Sequence, residues 1–225
     1  MYQLIGTSKL LTAFGITAAL AALFYISIAP PEDASGYWRV ASVSATFTGF
    51  LLFILGQTPF FPFISRLPII RNHLPPIDGE WVGTFTSNYD KIAKAFKVEN
   101  SNGGEPIVAD FTIRARLFDV RINAVSRSPK PGYMRSDTTA FRINRCSMTH
   151  RIVIHYAYDA FVGDPHNNDV DRFHGAARLT ILGEAKDLHF EGVYWTDRNW
   201  QKGMNTAGTL KLRRETARKD VKDSA

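Results

Sequence analysis

The sequence alternates apolar and polar residues over two neighbouring stretches, Phe111-Thr-Ile-Arg-Ala-Arg-Leu117 and Val120-Arg-Ile-Asn-Ala-Val125. Successive side chains of a β-strand point to opposite faces, so a repeat of two residues predicts strands with one buried face. This repeat, rather than the 3.6-residue repeat of an amphipathic helix, sets the fold class for the larger part of the chain.

The same repeat continues on both sides of these stretches, in six further segments: 81–85, 139–145, 151–158, 174–182, 188–196 and 205–212. Turn-forming residues separate the segments, for example Asn102-Gly103-Gly104, Pro129 to Gly132 and Gly183 to Asp187. Only Tyr89 to Lys97 has a helical pattern. Eight short strands in about 140 residues predict a compact antiparallel up-and-down β-barrel, with a β-sandwich as the alternative.

The amino-terminal part has a different character, because no charged residue lies between Lys9 and Glu32 or between Arg39 and Arg66. About 20 apolar residues suffice for a helix to cross a membrane. We therefore predict two transmembrane α-helices, at 10–29 and 37–60, the second beginning with Tyr37-Trp38 at the interface. A cleaved signal peptide is the alternative for the first, but its apolar run is long and a second span follows at once.

Basic residues flank the two spans on one side: Lys9 before the first, and Arg66 and Arg71 after the second. This distribution predicts that the amino and carboxy termini are cytoplasmic and the loop at 30–39 is outside. The expected domains are a transmembrane hairpin at 1–65, a proline-rich linker at 66–77, a cytosolic β-barrel at 78–214 and a charged tail at 215–225.

Catalytic motifs are missing from the sequence. It has no glycine-rich phosphate loop, nucleophile elbow or His-Glu-x-x-His motif, so we expect no enzyme activity and no catalytic residues. The acidic and histidine residues between Asp164 and His174 lack the spacing of a metal site, so no metal and no cofactor are expected. Cys146, the single cysteine, excludes an internal disulfide and favours a reducing compartment.

Aromatic and basic residues share several of the predicted strands, as in His155-Tyr-Ala-Tyr158 and Tyr194-Trp-Thr-Asp-Arg198. Aromatic rings stack on bases and arginine binds phosphate through paired N–H groups, so a nucleotide ligand fits this composition. A half-exposed sheet that turns aromatics inward and arginines outward explains the same pattern. Nucleic acid is not expected as a partner, because the net charge of +6 is spread rather than gathered in one stripe.

The order of these features resembles one known family. Two spans and a proline-rich segment precede Gly79-x-Trp81-x-Gly83, which is also similar to the start of lipocalin-type barrels. The later motifs are Tyr156-x-Tyr158, Phe173-His174-Gly175, the run from Leu188 to Arg198, and Gly208-Thr-Leu-Lys-Leu212. Together they resemble the two-transmembrane, β-strand-rich effectors of cyclic-oligonucleotide-based antiphage signalling (CBASS).

The resemblance implies a function. In that family a cytosolic eight-stranded barrel binds a cyclic dinucleotide made by a cyclic GMP-AMP synthase-like nucleotidyltransferase upon infection. Binding promotes self-association, and the clustered helices disrupt the bacterial inner membrane and kill the infected cell. For such a ligand we expect contacts from eight residues: Tyr156, Tyr158, His174, Tyr194, Thr196 and Arg198, with Arg116 and Arg142 as phosphate partners.

Other functions fit the pattern of residues less closely. A membrane-tethered, lipocalin-like barrel that carries or senses an apolar small molecule would need a dry interior. An unrecognised hydrolase would need acids and histidine clustered inside the barrel with perturbed pKa values. A purely structural membrane protein would bind no nucleotide.

Overall fold

A computed structural model of the chain describes residues 1–97, 105–127, 133–165, 169–184 and 187–215. These residues divide into two compact units. The first comprises Met1–Pro76 with Ala115–Val120, and the second comprises Ile77–Arg114 and the chain from Arg121 onward.

Two long helices dominate the first unit. Its helices are α1 (Tyr2–Ile5), α2 (Thr7–Ile28), α3 (Ala34–Gln57), α4 (Phe60–Ser65) and α5 (Pro68–Arg71). By length and composition, α2 and α3 are able to cross a membrane, as the sequence predicts.

The helices begin three residues before the predicted spans, and α3 also ends three residues earlier. The side chain of Asp33 explains the start of α3, because it accepts a hydrogen bond of 2.7 Å from the amide of Gly36 and caps the helix. At the other end, Thr58 precedes a proline and is extended, which terminates the helix.

The segment Ala115–Val120 belongs to the helical unit although it joins two strands. The amide of Leu117 donates to the carbonyl of Gly56 over 2.8 Å, and the amide of Tyr2 donates to the carbonyl of Leu117 over 2.7 Å. A Cβ atom on Gly56 would lie 2.9 Å from Cδ2 of Leu117. Glycine at position 56 therefore gives the Leu117 side chain room against α3.

The second unit is a closed antiparallel barrel, which confirms the predicted fold class. Its strands, in chain order and in order around the barrel, are β1 (Gly79–Ser87), β2 (Ile107–Ala115), β3 (Val120–Ser126), β4 (Tyr133–Arg145), β5 (Ile152–Gly163), β6 (Arg172–Leu182), β7 (His189–Thr196) and β8 (Ala207–Arg214). The ring closes between β1 and β8, where Trp81 pairs with Arg214 and Phe85 with Leu210. Helix α6 (Tyr89–Phe96) follows β1, where the sequence predicts a helix.

Large apolar side chains fill the half of the barrel around the start of β1. Trp81, Phe111, Phe190, Leu210 and Leu212 are at most 1% exposed. The rings of Trp81 and Phe190 meet edge to face at 4.7 Å. The indole Nε1 of Trp81 donates to the carbonyl of Ile77 over 3.0 Å, and the guanidinium of Arg214 lies 4.6 Å from the indole centroid. These contacts give Trp81 a structural role.

The start of strand β4 differs most from its predicted position, since it lies at Tyr133 rather than at Thr139. Thr138 pairs with Tyr158 but Ala140 pairs with Ala157, so a bulge at Thr139 inserts one residue into the strand. A bulge reverses the inward and outward positions that follow it, which breaks the two-residue repeat on which the prediction rests.

Several predicted features lie wholly or partly outside the described residues. These are the turns at Asn102–Gly104 and Pro129–Gly132, part of the turn at 183–187, and the charged tail, of which only Glu215 is described.

Candidate functional site

Three tyrosines gather inside the barrel toward the end where β7 finishes. Tyr156, Tyr158 and Tyr194 are only 5–7% exposed. Tyr156 pairs with Ala177 of β6, which in turn pairs with Tyr194 of β7. The rings of Tyr156 and Tyr158 lie 5.7 Å apart, and the ring of Tyr194 meets Phe85 edge to face at 5.2 Å. We call Tyr156, Tyr158 and Tyr194 the tyrosine cluster.

Small residues on β6 make room for the tyrosine cluster. Gly175 pairs with Tyr158, and a Cβ atom at position 175 would lie within 2.6 Å of Cε2 of Tyr158. The Tyr158 ring therefore lies directly over the backbone of β6. The neighbouring inward position holds Ala177, which is 1% exposed.

The hydroxyl groups of the tyrosine cluster stay protonated at neutral pH. Burial raises the pKa of Tyr156 and of Tyr158 far above the ordinary value of 10.0. Burial also raises the pKa of Tyr194, while a hydrogen bond with Ser87 and the charge of Arg198 oppose the rise. The cluster therefore offers neutral O–H groups that both donate and accept hydrogen bonds.

Hydroxyl side chains surround the tyrosine cluster on the inner wall. Ser126, Ser136 and Thr196 are buried at 6–7% exposure. Oγ of Ser126 accepts from the amide of Met134 over 2.8 Å, and Oγ1 of Thr196 lies 2.8 Å from Oγ1 of Thr206. This half of the interior has more polar groups than the half around Trp81, although the buried rings of Phe85 and Phe173 also lie here. The side-chain hydroxyl groups of the barrel interior are therefore concentrated at the tyrosine end.

Arg198 lies beside the tyrosine cluster, in the connection between β7 and β8. Its backbone amide donates to Oγ1 of Thr196 over 3.3 Å, and its guanidinium lies 5.4 Å from the ring centroid of Phe173. The same guanidinium binds the carboxylate of Asp169 through Nε, at 2.9 Å from Oδ1, and through Nη2, which contacts Oδ2. These contacts hold Arg198 in one position, and its charge is already paired with that of Asp169.

Asp169 and Asn199 complete this group. Burial raises the pKa of Asp169, but the hydrogen bonds and charge of Arg198, with donors from Val170 and Asn199, outweigh burial and hold the pKa below its ordinary value of 3.8. Nδ2 of Asn199 donates to Oδ1 of Asp169 over 3.1 Å. Oδ1 of Asn199 is buried and has no hydrogen-bond partner among the described residues. A buried acceptor without a donor marks a place where a ligand or water N–H or O–H group is favoured.

His174 is on the outer surface, between the carboxylates of Asp159 and Asp197. Its Nδ1 lies 3.1 Å from Oδ2 of Asp197, and its Nε2 lies 3.7 Å from Oδ1 of Asp159. Its side chain is 75% exposed. The structure therefore does not bring His174 together with the tyrosine cluster, since its neighbours Phe173 and Gly175 take the inward positions.

The two other predicted phosphate partners belong to the outer face of β4 and to the helical unit. Arg142 is exposed on the outer face of β4, where it pairs in register with His155. Arg116 belongs to the turn in the helical unit; its Nη1 donates to the carbonyl of Ala115 over 2.7 Å. Of the eight residues predicted for the site, five are together: the tyrosine cluster, Thr196 and Arg198.

Sequence reasoning did not identify Ser87, Ser136, Asp169 and Asn199 as members of this group. The two serines share the inward register of their strands, so a correct strand register would have placed them. The contact of Asp169 with Arg198 joins two loops far apart in sequence, and no local pattern signals it.

Comparison with known proteins gives one relevant similarity. No protein-family model matches the chain. The chain is 28% identical over 147 residues to CD-NTase-associated protein 15 of Escherichia albertii, which covers 63% of each chain. The chain thus spans less than two thirds of that relative's length. The similarity agrees with the resemblance to CBASS effectors noted from the sequence motifs.

Proposed function

We propose that this protein is a membrane-tethered receptor and effector, whose barrel binds a cyclic dinucleotide and whose helices then cluster and disrupt the membrane. The observation that carries the proposal is the tyrosine cluster inside the barrel, with hydroxyl groups around it and Arg198 at its edge. Two apolar helices and the similarity to a CD-NTase-associated protein support it.

The chemistry of the site suits such a ligand. A cyclic dinucleotide presents two bases with π faces and two phosphodiester charges. Tyrosine rings stack on bases, and the protonated hydroxyls donate to ring nitrogens and carbonyls. Asp169 occupies Nε and Nη2 of Arg198, so a ligand phosphate binds the remaining N–H donors or displaces the carboxylate.

The barrel interior argues against the other functions. The buried polar residues among those described are serines and threonines, and no acid or histidine is among them. The clustered acids around His174 are on the outer surface, which does not suit a hydrolase centred in the barrel. Packed apolar side chains such as Trp81 and Phe190 occupy the other half, so the hydrogen-bonding groups available to a ligand are those of the tyrosine end.

The remainder of the proposal concerns partners and location. A cognate nucleotidyltransferase supplies the messenger, in keeping with the name of the similar protein. The barrel lies in the cytoplasm of a bacterium, on the inner face of the cell membrane, with both termini on that side. Ligand binding favours the clustered state only by its higher affinity for that state, so bound barrels must associate more strongly than empty ones.

Calorimetry on the full chain in detergent tests the binding step, using cyclic di-GMP, cyclic di-AMP and cyclic GMP-AMP, with oleate as an apolar ligand. We expect one of the cyclic dinucleotides to bind. Arg198→Ala should weaken it by about tenfold or more, because a charged hydrogen bond is lost. The matched control is Arg114→Ala, which removes an exposed arginine on β2. Binding of oleate alone would support the lipocalin-like carrier, and no binding of any cyclic dinucleotide would refute the receptor.

A carboxy-terminal fusion tests the topology. Green fluorescent protein after residue 225 should fluoresce, and alkaline phosphatase at the same place should be inactive, since the first folds in the cytoplasm and the second only outside it. The reverse result would place the barrel on the wrong side of the membrane for a cytosolic messenger.

A further inference from the structure

The outer face of the barrel on β4 to β7 carries three parallel rows of residues that run across the strands. The middle row is Ala140, Ala157 and Ala176, which are in register with one another and with Trp195 of β7. We call these three alanines and Trp195 the alanine row. The small side chains allow close approach to the backbone of the barrel wall here, and Trp195, 48% exposed, adds a large apolar group at the end of the row.

Charged residues of opposite sign flank the alanine row. On one side is the acidic row, Asp137, Asp159 and Asp197, with His174 in register between the last two. On the other side is the basic row, Arg142, His155 and Arg178, which are also in register. On β5 and β6 each flanking row is two residues from the alanine row, which is about 7 Å along a strand. On β4 the bulge at Thr139 adds one residue between Asp137 and Ala140.

Two groups of each charged row are open to a partner: Asp137 and Asp159 of the acidic row, and Arg142 and Arg178 of the basic row. The side chains of Asp137 and Asp159 are 52% and 61% exposed. Oδ1 of Asp137 accepts a hydrogen bond of 2.8 Å from the neutral amide of Asn123. The contacts with basic groups are longer, since Nε of Arg135 lies 3.6 Å from Asp137 and Nε2 of His174 lies 3.7 Å from Asp159. Arg142 and Arg178 are exposed and have no carboxylate within 4 Å in that part of the chain.

From this arrangement we propose that a second copy of the barrel docks on this face, through a two-fold axis that runs along the alanine row. Such an axis turns the partner's face over and exchanges the two flanks. The acidic row of one copy then faces the basic row of the other, and each alanine faces its own equivalent. Asp159 comes to lie opposite His155 of the partner subunit, between Arg142 of the partner subunit and Arg178 of the partner subunit.

Two properties of the surface favour a second copy over an unrelated partner. The charge pattern is self-complementary, because aspartates lie on one side of the alanine row and arginines on the other. The small side chains of the alanine row permit two barrel walls to approach closely around Ala157 and Ala176, and Trp195 supplies the kind of apolar group on which interfaces depend. The inference extends the self-association in the proposed function, but it rests on the outer face alone.

Cysteine cross-linking of the full chain in phospholipid vesicles tests the contact, with Cys146→Ser as the background. Because Ala157 and Ala176 lie on the axis, Ala157→Cys and Ala176→Cys should each give disulfide-linked dimers with copper phenanthroline. The matched control is Thr84→Cys, an exposed position on β1 outside this face. We expect about tenfold more dimer from the two alanine positions than from Thr84→Cys, since proximity sets the rate. Equal yields would overturn the interface.

A charge exchange makes the test specific. In the Ala157→Cys protein, Asp159→Arg or Arg178→Asp alone should lower the dimer yield by about fivefold, since each puts like charges together across the axis. The double variant restores opposite charges and should return the yield to within about twofold of the parent. A double variant no better than either single one would refute the proposed geometry.

The same samples separate this inference from the receptor proposal. Dinucleotide binding without cross-linking at Ala157→Cys and Ala176→Cys would refute the interface and leave the receptor intact. Cross-linking without dinucleotide binding would refute the receptor and leave the interface intact. A melting temperature near that of the parent shows that each variant is folded.

Discussion

Arg198 and Asp169 form a two-pronged ion pair that joins the β5–β6 connection to the β7–β8 connection, with Nε of Arg198 2.9 Å from Oδ1 of Asp169. The pair lies next to the polar end of the barrel, because Arg198 also contacts Thr196 and the ring of Phe173. A ligand phosphate that binds here has to share the guanidinium with a carboxylate that already holds it.

Replacing the carboxylate of Asp169 should therefore strengthen the binding of an anionic ligand. Asp169→Asn keeps an acceptor for Asn199 and leaves Arg198 without its counter-charge. We expect cyclic dinucleotide affinity to rise by about threefold to tenfold, and stability to fall by about 1–3 kcal/mol, because a partly buried charge loses its partner. Calorimetry measures the first effect and chemical unfolding the second. Weaker binding would show that Asp169 positions Arg198 rather than competing with the phosphate.

The same ion pair should make stability depend on pH at the acidic end. The folded pKa of Asp169 lies below its ordinary value of 3.8, so the folded state favours the ionised carboxylate. The ionised carboxylate contributes its full stabilisation at pH values about one unit or more above 3.8. This stabilisation decreases as the pH falls through the folded pKa. The stability difference between the parent and Asp169→Asn should thus be constant from about pH 8 to 5 and shrink below about pH 4. A difference that grows on acidification would contradict the direction of the shift.

Gly175 should not tolerate a side chain. The Cβ of Gly175→Ala would overlap the Tyr158 ring, and the resulting strain should cost about 1–3 kcal/mol of unfolding free energy. In a Tyr158→Leu background the cost should largely disappear, which a double-mutant cycle measures. Gly163→Ala is the control, because its nearest neighbour, Cδ1 of Tyr133, would be at an ordinary 3.5 Å. Equal costs at both glycines would show that the Tyr158 ring is not the obstacle.

The indole of Trp81 should matter for stability and not for binding. Trp81→Phe removes the donor to the carbonyl of Ile77, a residue with 0% exposure, and should cost about 1–3 kcal/mol. Dinucleotide affinity should stay within about twofold, since distant sites are nearly independent. Trp200→Phe, at a tryptophan that is 63% exposed, is the control and should change neither quantity. A large loss of affinity in Trp81→Phe would place the ligand in the apolar half of the barrel.

The fold was predictable because strand periodicity and apolar length are local signals. The two-residue repeat marks every strand, and the uncharged runs mark α2 and α3. The bounds of β4 were not predictable, since the bulge at Thr139 shifts the repeat within the strand. Helix α3 starts before the apolar run because Asp33 caps it, an effect that depends on the conformation of the loop.

The site was predictable in part for the same reason. Tyr156 and Tyr158 are two apart on β5, so they share a face, and Tyr194 and Thr196 do likewise on β7. Whether that face is inward follows from the neighbouring apolar residues. His174 alternates with Phe173 and so takes the outer face. The pairing of Arg198 with Asp169 depends on how two loops meet in space, which no periodicity encodes.

The pairing of β1 with β8 limits the ways in which another molecule can attach to the barrel. Each strand has two neighbours in the closed ring, so within the described chain the sheet has no terminal strand to which another molecule could add one. Copies cannot grow into a shared sheet without first opening the ring. Any contact between intact barrels is consequently made by side chains, so we expect it to respond to salt and to single charge changes.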